Sequence, residues 1–171
     1  KGTNRQQFFR GEIDKYTWVD SGSSYVPSEI SCAFLFAQLE QIREITGRRK
    51  KINDNYQAGL APLEARGDCR LPYIPPECTS NFHLFFLLLE DARVRDALIE
   101  HLKKDGIYAV FHYIPLHLSP MGKKVGYKNG DLPVTERLSG CLLRLPFYFD
   151  LSDADQQSVI DSVSRFFSGR N

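Results

Sequence analysis

Sulfur is scarce in this sequence: four cysteines and one methionine among 171 residues. Cys32, Cys69, Cys78 and Cys141 show no CxxC spacing, which argues against a zinc knuckle or a thioredoxin-like redox pair. Cys32 falls in a helical pattern and Cys141 in an apolar one, so both are expected in the core of a protein from a reducing cytoplasm. Only Cys69 and Cys78 lie in loop-like sequence where a disulfide could form. Excess charge is also missing. Twenty-two Lys and Arg balance twenty-one Asp and Glu, a net charge of +1, so no strong field favours nucleic acid or an anionic membrane. The longest apolar run, Phe82 to Leu89, is interrupted by His83 and falls far short of the roughly 20 residues a membrane span needs. No charged-then-apolar leader opens the chain, so it is read as cytoplasmic. There is no HExxH, no Walker pattern, and no nucleophile with an identifiable base. Lys15 and Ser24 are the only nucleophile candidates, and both lack an orienting partner.

What the sequence does have is concentrated in two stretches. The first is Gly106 to Pro120, GIYAVFHYIPLHLSP. A β-rich apolar run ends there in His112, Tyr113 and His117, braced by Pro115 and Pro120. The two histidines are five positions apart, and no acidic or thiol ligand accompanies them, which argues against a metal site. One imidazole could simply hydrogen-bond in the core. The favoured functional reading is a polar edge that contacts a hydroxylated or anionic ligand. The second stretch, the first 25 residues, is dense in Asn4, Arg5, Arg10, Asp14, Lys15, Tyr16, Trp18 and Tyr25. A chain terminus is usually loose and unspecialised. This one reads as the C-terminal part of a longer protein. The rival reading is a free-standing ligand-binding α+β domain that begins at Lys1.

Between these stretches the pattern is helical. Ser28 is the expected N-cap of a helix of roughly 30 residues that is weakened at Gly47 and stopped by Pro62. Its first half is apolar round most of its circumference, through Ile30, Phe34 and Ala37, and predicts association when uncovered. The run Gly47-Arg48-Arg49-Lys50-Lys51 is expected to be a solvated helix face. Residues 62–81 read as a linker rich in proline and turn residues. A strand over 81–90, buried on both faces and holding a core His83, comes next. An amphipathic helix over 91–104, a strand over 107–112, a glycine-rich loop over 119–131, a short helix over 133–140, a strand over 142–145 and a closing helix over 152–167 complete the chain.

The segments KGTNRQQFFRGEIDKYTWVDSGSSYVPSEI, Asn81-Phe82-His83, GIYAVFHYIPLH and LLRLPFYFDLS together resemble the DegT/StrS family of sugar-nucleotide aminotransferases over nearly the whole chain. The resemblance implies an α/β protein, the C-terminal part of a fold-type I pyridoxal phosphate-dependent transferase. Residues 1–60 would be the end of the large cofactor domain plus a bridging helix. Residues 61–171 would be a small C-terminal α+β domain, a short mainly antiparallel sheet covered by helices. It also implies transfer of an amino group from glutamate to a 4-keto-6-deoxy sugar nucleotide, dTDP-linked, for cell-surface polysaccharide, by a homodimer that shares its active sites. The Schiff-base lysine lies upstream in the family, and Lys15 does not match its motif, so the piece alone is expected to be inactive. His112, Tyr113 and His117 match a motif assigned to the sugar nucleotide, and Arg10 is assigned to its diphosphate on charge and position. Ser24 and Tyr25 stand in the loop that reaches the neighbour's cofactor phosphate, with a serine where other branches have asparagine. The alternative is a non-catalytic, regulatory relative of the same fold.

Overall fold

The structure, a computed structural model, describes residues 4–15, 17, 19, 21–22 and 25–169. It divides into two compact units, residues 1–42 and 43–171.

In the first unit, α1 is a short helix, Arg5–Phe9. Helix α2, Glu29–Glu40, starts where Ser28 accepts a hydrogen bond from the Ser31 N–H at 3.2 Å. None of its residues is buried, and Ile30 and Phe34 are 84% and 71% exposed. Cys32, expected in the core, is exposed and free, because every face of α2 is open.

Helix α3, Ile42–Arg66, is the longest element. The expected single helix is therefore two, broken at Gln41 rather than kinked at Gly47. Pro62 does not stop α3. It lies on the exposed side, while its neighbour Leu63 is buried. One lost backbone hydrogen bond is thus offset by packing on the other side. The helix ends at Gly67, whose φ of +83° suits glycine alone. There the Asp68 N–H reaches the Leu63 carbonyl at 3.0 Å and the Gly67 N–H the Glu64 carbonyl at 2.9 Å.

Three short antiparallel strands follow in the order β1–β3–β2: β1 Phe86–Leu88, β2 Val110–Phe111 and β3 Leu142–Arg144. Around β1 the buried residues alternate, Phe85, Leu87 and Leu89, so the segment buries one face and not two. His83 precedes the strand, is exposed, and pairs with Asn81 Oδ1 at 2.9 Å; it is not a core histidine. Helix α4, Ala92–Lys104, is capped by Asp91 and stopped at Gly106. A 3-10 turn, Leu116–Leu118, leads to α5, Pro120–Lys124, within what the sequence reads as loop. Helices α6, Pro133–Cys141, and α7, Asp153–Ser168, complete the fold. Cys69 is buried and Cys78 exposed, both as free thiols.

The core lies between the sheet and helices α3, α4 and α7. Ile52, Tyr56 and Leu60 from α3 meet Leu87, Leu98, Leu143 and Val163, all fully buried. The Tyr56 ring lies 4.9 Å from that of Phe85, and its hydroxyl donates to the Pro146 carbonyl at 2.8 Å. Gln156, 1% exposed, donates to the Ile52 carbonyl at 2.6 Å and accepts from Asn55 at 3.1 Å. The basic run on α3 is not simply solvated. Arg48 donates to the Phe149 and Leu151 carbonyls and, with Lys51, holds Asp153 in the first turn of α7. Leu98 touches the sheet side of this core from α4. Leu98→Ala should cost about 2–5 kcal/mol, read from the urea unfolding midpoint.

Candidate functional site

Strand β2 ends at Phe111, and the chain leaves the sheet at His112 and Tyr113. Val110 pairs with Arg144 and Phe111 with Leu143, so the exit point is fixed by the central strand β3. His112 is half-buried and Tyr113 is 74% exposed, with ring centroids 5.5 Å apart in an edge-on arrangement. The His112 Nδ1 is buried and has no hydrogen-bond partner. The Arg144 guanidinium lies 5.5 Å from the Tyr113 ring centroid, close enough for a cation–π contact. Its Nε is likewise buried without a partner. Beside them an open groove of about 320 Å³ is lined by Arg95, Phe111, His112, Tyr113, Pro115 and Ser139, among others. The Arg95 guanidinium sits 5.7 Å from the Phe111 ring centroid. Its Nε is 2.6 Å from Asp96 Oδ1, but the N–H is not aimed there, so this is an ion pair without a directional hydrogen bond. Arg95 and Arg144 are groups the sequence reading missed. The available signal was a single charge inside the apolar run Leu142 to Leu145.

His117 behaves differently from His112. It is 6% exposed, and its Nε2 lies 2.9 Å from Glu136 Oε1. A carboxylate only accepts, so the imidazole donates. Glu136 also accepts from the Gly130 N–H at 2.8 Å and from the Leu132 N–H at 3.4 Å. One carboxylate thus fastens the 3-10 turn, the 126–131 loop and the start of α6 together. The packing is close: a Cβ on Gly122 would come within 2.3 Å of the Leu116 carbonyl oxygen. His117 is therefore a buried brace for the 3-10 turn, while His112 and Tyr113 line the groove.

The other predicted residues belong to the first unit. Arg10 is exposed and engages Glu12 with two hydrogen bonds, at 2.6 and 3.2 Å. It lines an open groove of about 630 Å³ together with Asn4, Gln6 and Phe9. Tyr25 is 90% exposed. Ser24 lies outside the described residues. A larger open cleft, about 810 Å³, is lined by Asp105, Tyr108, Tyr148, Asp155 and Arg165 among others. It contains none of the predicted residues. Its Asp105 is already satisfied by Ser162 and Arg165 and is held below the usual aspartate range by those two hydrogen bonds. Among the described residues no group of three or more His, Cys, Asp or Glu is arranged to hold a metal ion.

These features fall in a recognisable family. The DegT/DnrJ/EryC1/StrS aminotransferase model matches residues 2–164, and the chain belongs to that family. Its members depend on pyridoxal phosphate, and the fold described above is the corresponding part of a fold-type I aminotransferase. The chain is 33% identical over 158 residues to a pleiotropic regulatory protein of Geobacillus stearothermophilus, covering 92% of this chain and 41% of that one. It is 32% identical over 154 residues to a dTDP-3-amino-3,4,6-trideoxy-alpha-D-glucose transaminase of Streptomyces venezuelae, covering 90% and 39%. The crystal structure of the aminotransferase TlmJ from Streptoalloteichus hindustanus matches with a TM-score of 0.81 at 27% identity, over 99% of this chain and 43% of that one. The chain thus spans about 40% of the length of the curated relatives it matches.

The described residues do not make a pyridoxal phosphate site by themselves. An imine-forming lysine needs an enclosed, desolvated setting, and every described lysine is exposed. Of the two residues assigned to the cofactor phosphate, only Tyr25 is described, and it is 90% exposed.

The Glu136 contacts carry a pH signature. The hydrogen bond from His117 is the largest influence holding its carboxyl below the ordinary value of 4.5; partial burial opposes it, and the Gly130 and Leu132 N–H groups add to it. A pKa lower in the folded than in the unfolded state adds stability that is present above pH 4.5 and fades as pH falls through the folded value. Glu136→Gln should therefore lower the urea midpoint at pH 7, and its deficit should shrink below pH 4.5. A deficit that stays constant from pH 7 down to acid would rule the linkage out.

Proposed function

We propose that the full-length protein containing this chain transfers an amino group from glutamate to a 4-keto-6-deoxy sugar nucleotide, dTDP-linked, for cell-surface polysaccharide. It works in the cytoplasm as a homodimer, with pyridoxal phosphate as the resident cofactor supplying the amino-group relay. Residues 1–60 are the end of the cofactor domain with the bridging helix, and 61–171 are the small domain, to whose core α3 lends Ile52, Tyr56 and Leu60. Ser24 and Tyr25 reach the partner subunit's cofactor phosphate, and Arg10 meets the substrate diphosphate. One observation carries the substrate side of this reading. His112 and Tyr113 line a groove where the chain leaves β2, whose end is fixed by its pairing with β3. His112 presents an imidazole and Tyr113 a phenol to sugar hydroxyls or phosphate, and the exposed Tyr113 face offers a flat surface for a ring. His117 contributes as a positioning residue.

A second reading is favoured by the relative named as a pleiotropic regulatory protein: the same fold used to bind a ligand without turnover. The two separate in one assay. Full-length protein loaded with pyridoxal phosphate should convert glutamate to 2-oxoglutarate beyond one equivalent per site only when a 4-keto-6-deoxy dTDP-sugar is present to accept the amino group. His112→Ala should raise the KM for that sugar nucleotide about tenfold, leaving the KM for glutamate unchanged. Ligand binding with no turnover would support the regulatory reading, and failure to bind pyridoxal phosphate at all would sink the enzyme.

A further inference from the structure

We infer that Arg144, with His112 and Tyr113, forms an oxyanion receptor on the outer side of β3. The identity of its ligand rests on the aminotransferase reading. The receptor itself does not.

Arg144 is a half-buried guanidinium, and among the described residues no carboxylate pairs with it. Among the described residues its guanidinium meets the face of Tyr113. Its Nε is buried and donates to nothing. Of the other half-buried arginines described in this second unit, Arg48 has Asp153 and two carbonyls and Arg95 has Asp96. Arg49 pairs with no described carboxylate, but unlike Arg144 it has no buried nitrogen without a partner. Taking a guanidinium out of water without an anion is costly, so such a group implies a ligand that completes it. His112 shows the same deficit in the same place. Its buried Nδ1 lacks a partner, and its ring packs against the Tyr113 that Arg144 also touches.

The chemistry of the donors narrows the ligand. A guanidinium is a planar fork that matches two oxygens of a phosphate or a carboxylate. An imidazole beside it can add a third hydrogen bond. Tyr113 fixes the fork by stacking and spares it from sampling other rotamers. Arg144 is also anchored at its backbone, because it sits in the central strand, paired with Phe86 on one side and Val110 on the other. A fork on a central strand is held more rigidly than one on a loop. The ligand class is therefore an oxyanion, and the proposed reaction offers two sources: the diphosphate of the nucleotide and the carboxylates of glutamate.

The test uses the full-length protein and its Arg144→Gln variant. Affinities for thymidine diphosphate and inorganic pyrophosphate are measured by calorimetry, the KM for glutamate in the amino-donor half-reaction, and thermal unfolding alongside. The receptor predicts a loss of about tenfold or more in one arm with little change in the other, because hydrogen bonds to charged groups are the strong ones. Loss of diphosphate affinity assigns the site to the nucleotide; a raised glutamate KM assigns it to the donor. Unchanged affinity in both arms overturns the receptor, whether or not the variant is less stable. Should the variant not fold, labelling of wild-type Arg144 by phenylglyoxal decides. Suppression by thymidine diphosphate or glutamate supports the receptor. Equal labelling with and without them, or no labelling of the free protein, overturns it. Wild-type protein that binds pyrophosphate through Arg144 but transfers no amino group would refute the aminotransferase and keep the receptor. Amino transfer by Arg144→Gln with unchanged diphosphate affinity and unchanged glutamate KM would do the reverse.

Discussion

Two consecutive residues of β3 connect the core of the second unit to its candidate site. Leu143 is fully buried and Arg144 follows it, and strand alternation sends their side chains to opposite sides of the sheet. Leu143 and Arg144 pair with both β1 and β2, so the register that seats Leu143 against Leu87 also sets Phe111 beside it. A slip of one residue would drive a guanidinium into an aliphatic core. The position of Arg144, and of the chain leaving β2 at His112, is therefore enforced by the hydrophobic packing of its neighbour. The core does not merely support the site from a distance; its register determines which β3 side chain lies on the side away from the core.

A second constraint acts on the segment that follows β2. Buried His117 is joined to Glu136, and Glu136 gathers the Gly130 and Leu132 N–H groups as well. The segment from Pro115 to Pro133 contains only short helices, yet it cannot drift, because one carboxylate closes it. Pro115 and Ser119 define the two ends of the 3-10 turn, and the Ser119 hydroxyl then caps α5. His112 and His117, which look equivalent in the sequence, divide the labour: one presents a ring at the surface and the other holds the surface in place.

The sequence exposes elements set by periodicity and caps better than elements set by distant partners. Ser28, Asp91 and Ser152 begin helices where their cap chemistry and the apolar spacing agree, and Gly106 ends one as expected. The strands shrank. The apolar runs 81–90 and 107–112 predict long strands, but strand length depends on a partner, and β3 offers three residues. Pro62 misled because its cost is local, whereas the gain from burying Leu63 depends on the tertiary core. Arg48 misled in the same way: a basic residue in a basic run is solvated by default, and only the fold brings the 149–151 carbonyls within its reach. Within the site, ring chemistry at His112 and Tyr113 was legible. The brace on His117 was not, since Glu136 is nineteen residues away in an unremarkable acidic position.

Helix α2 shows how far local rules extend. Its cap and its composition are sound, and it is apolar on all sides, a pattern that belongs to helices covered by protein. Here none of its residues is buried. Helix propensity and capping are enough to specify the helix, but they say nothing of what covers it. The contrast with α4 is instructive. There, one apolar stripe through Val94, Leu98 and Leu102 meets the sheet, and the polar face is left to solvent. In α4 the pattern and the burial agree residue by residue; in α2 the pattern demands a burial that the first unit alone does not supply. The second unit is thus a self-sufficient core carrying a groove at its sheet edge, whereas the first is built of correct local parts with its apolar surface uncovered.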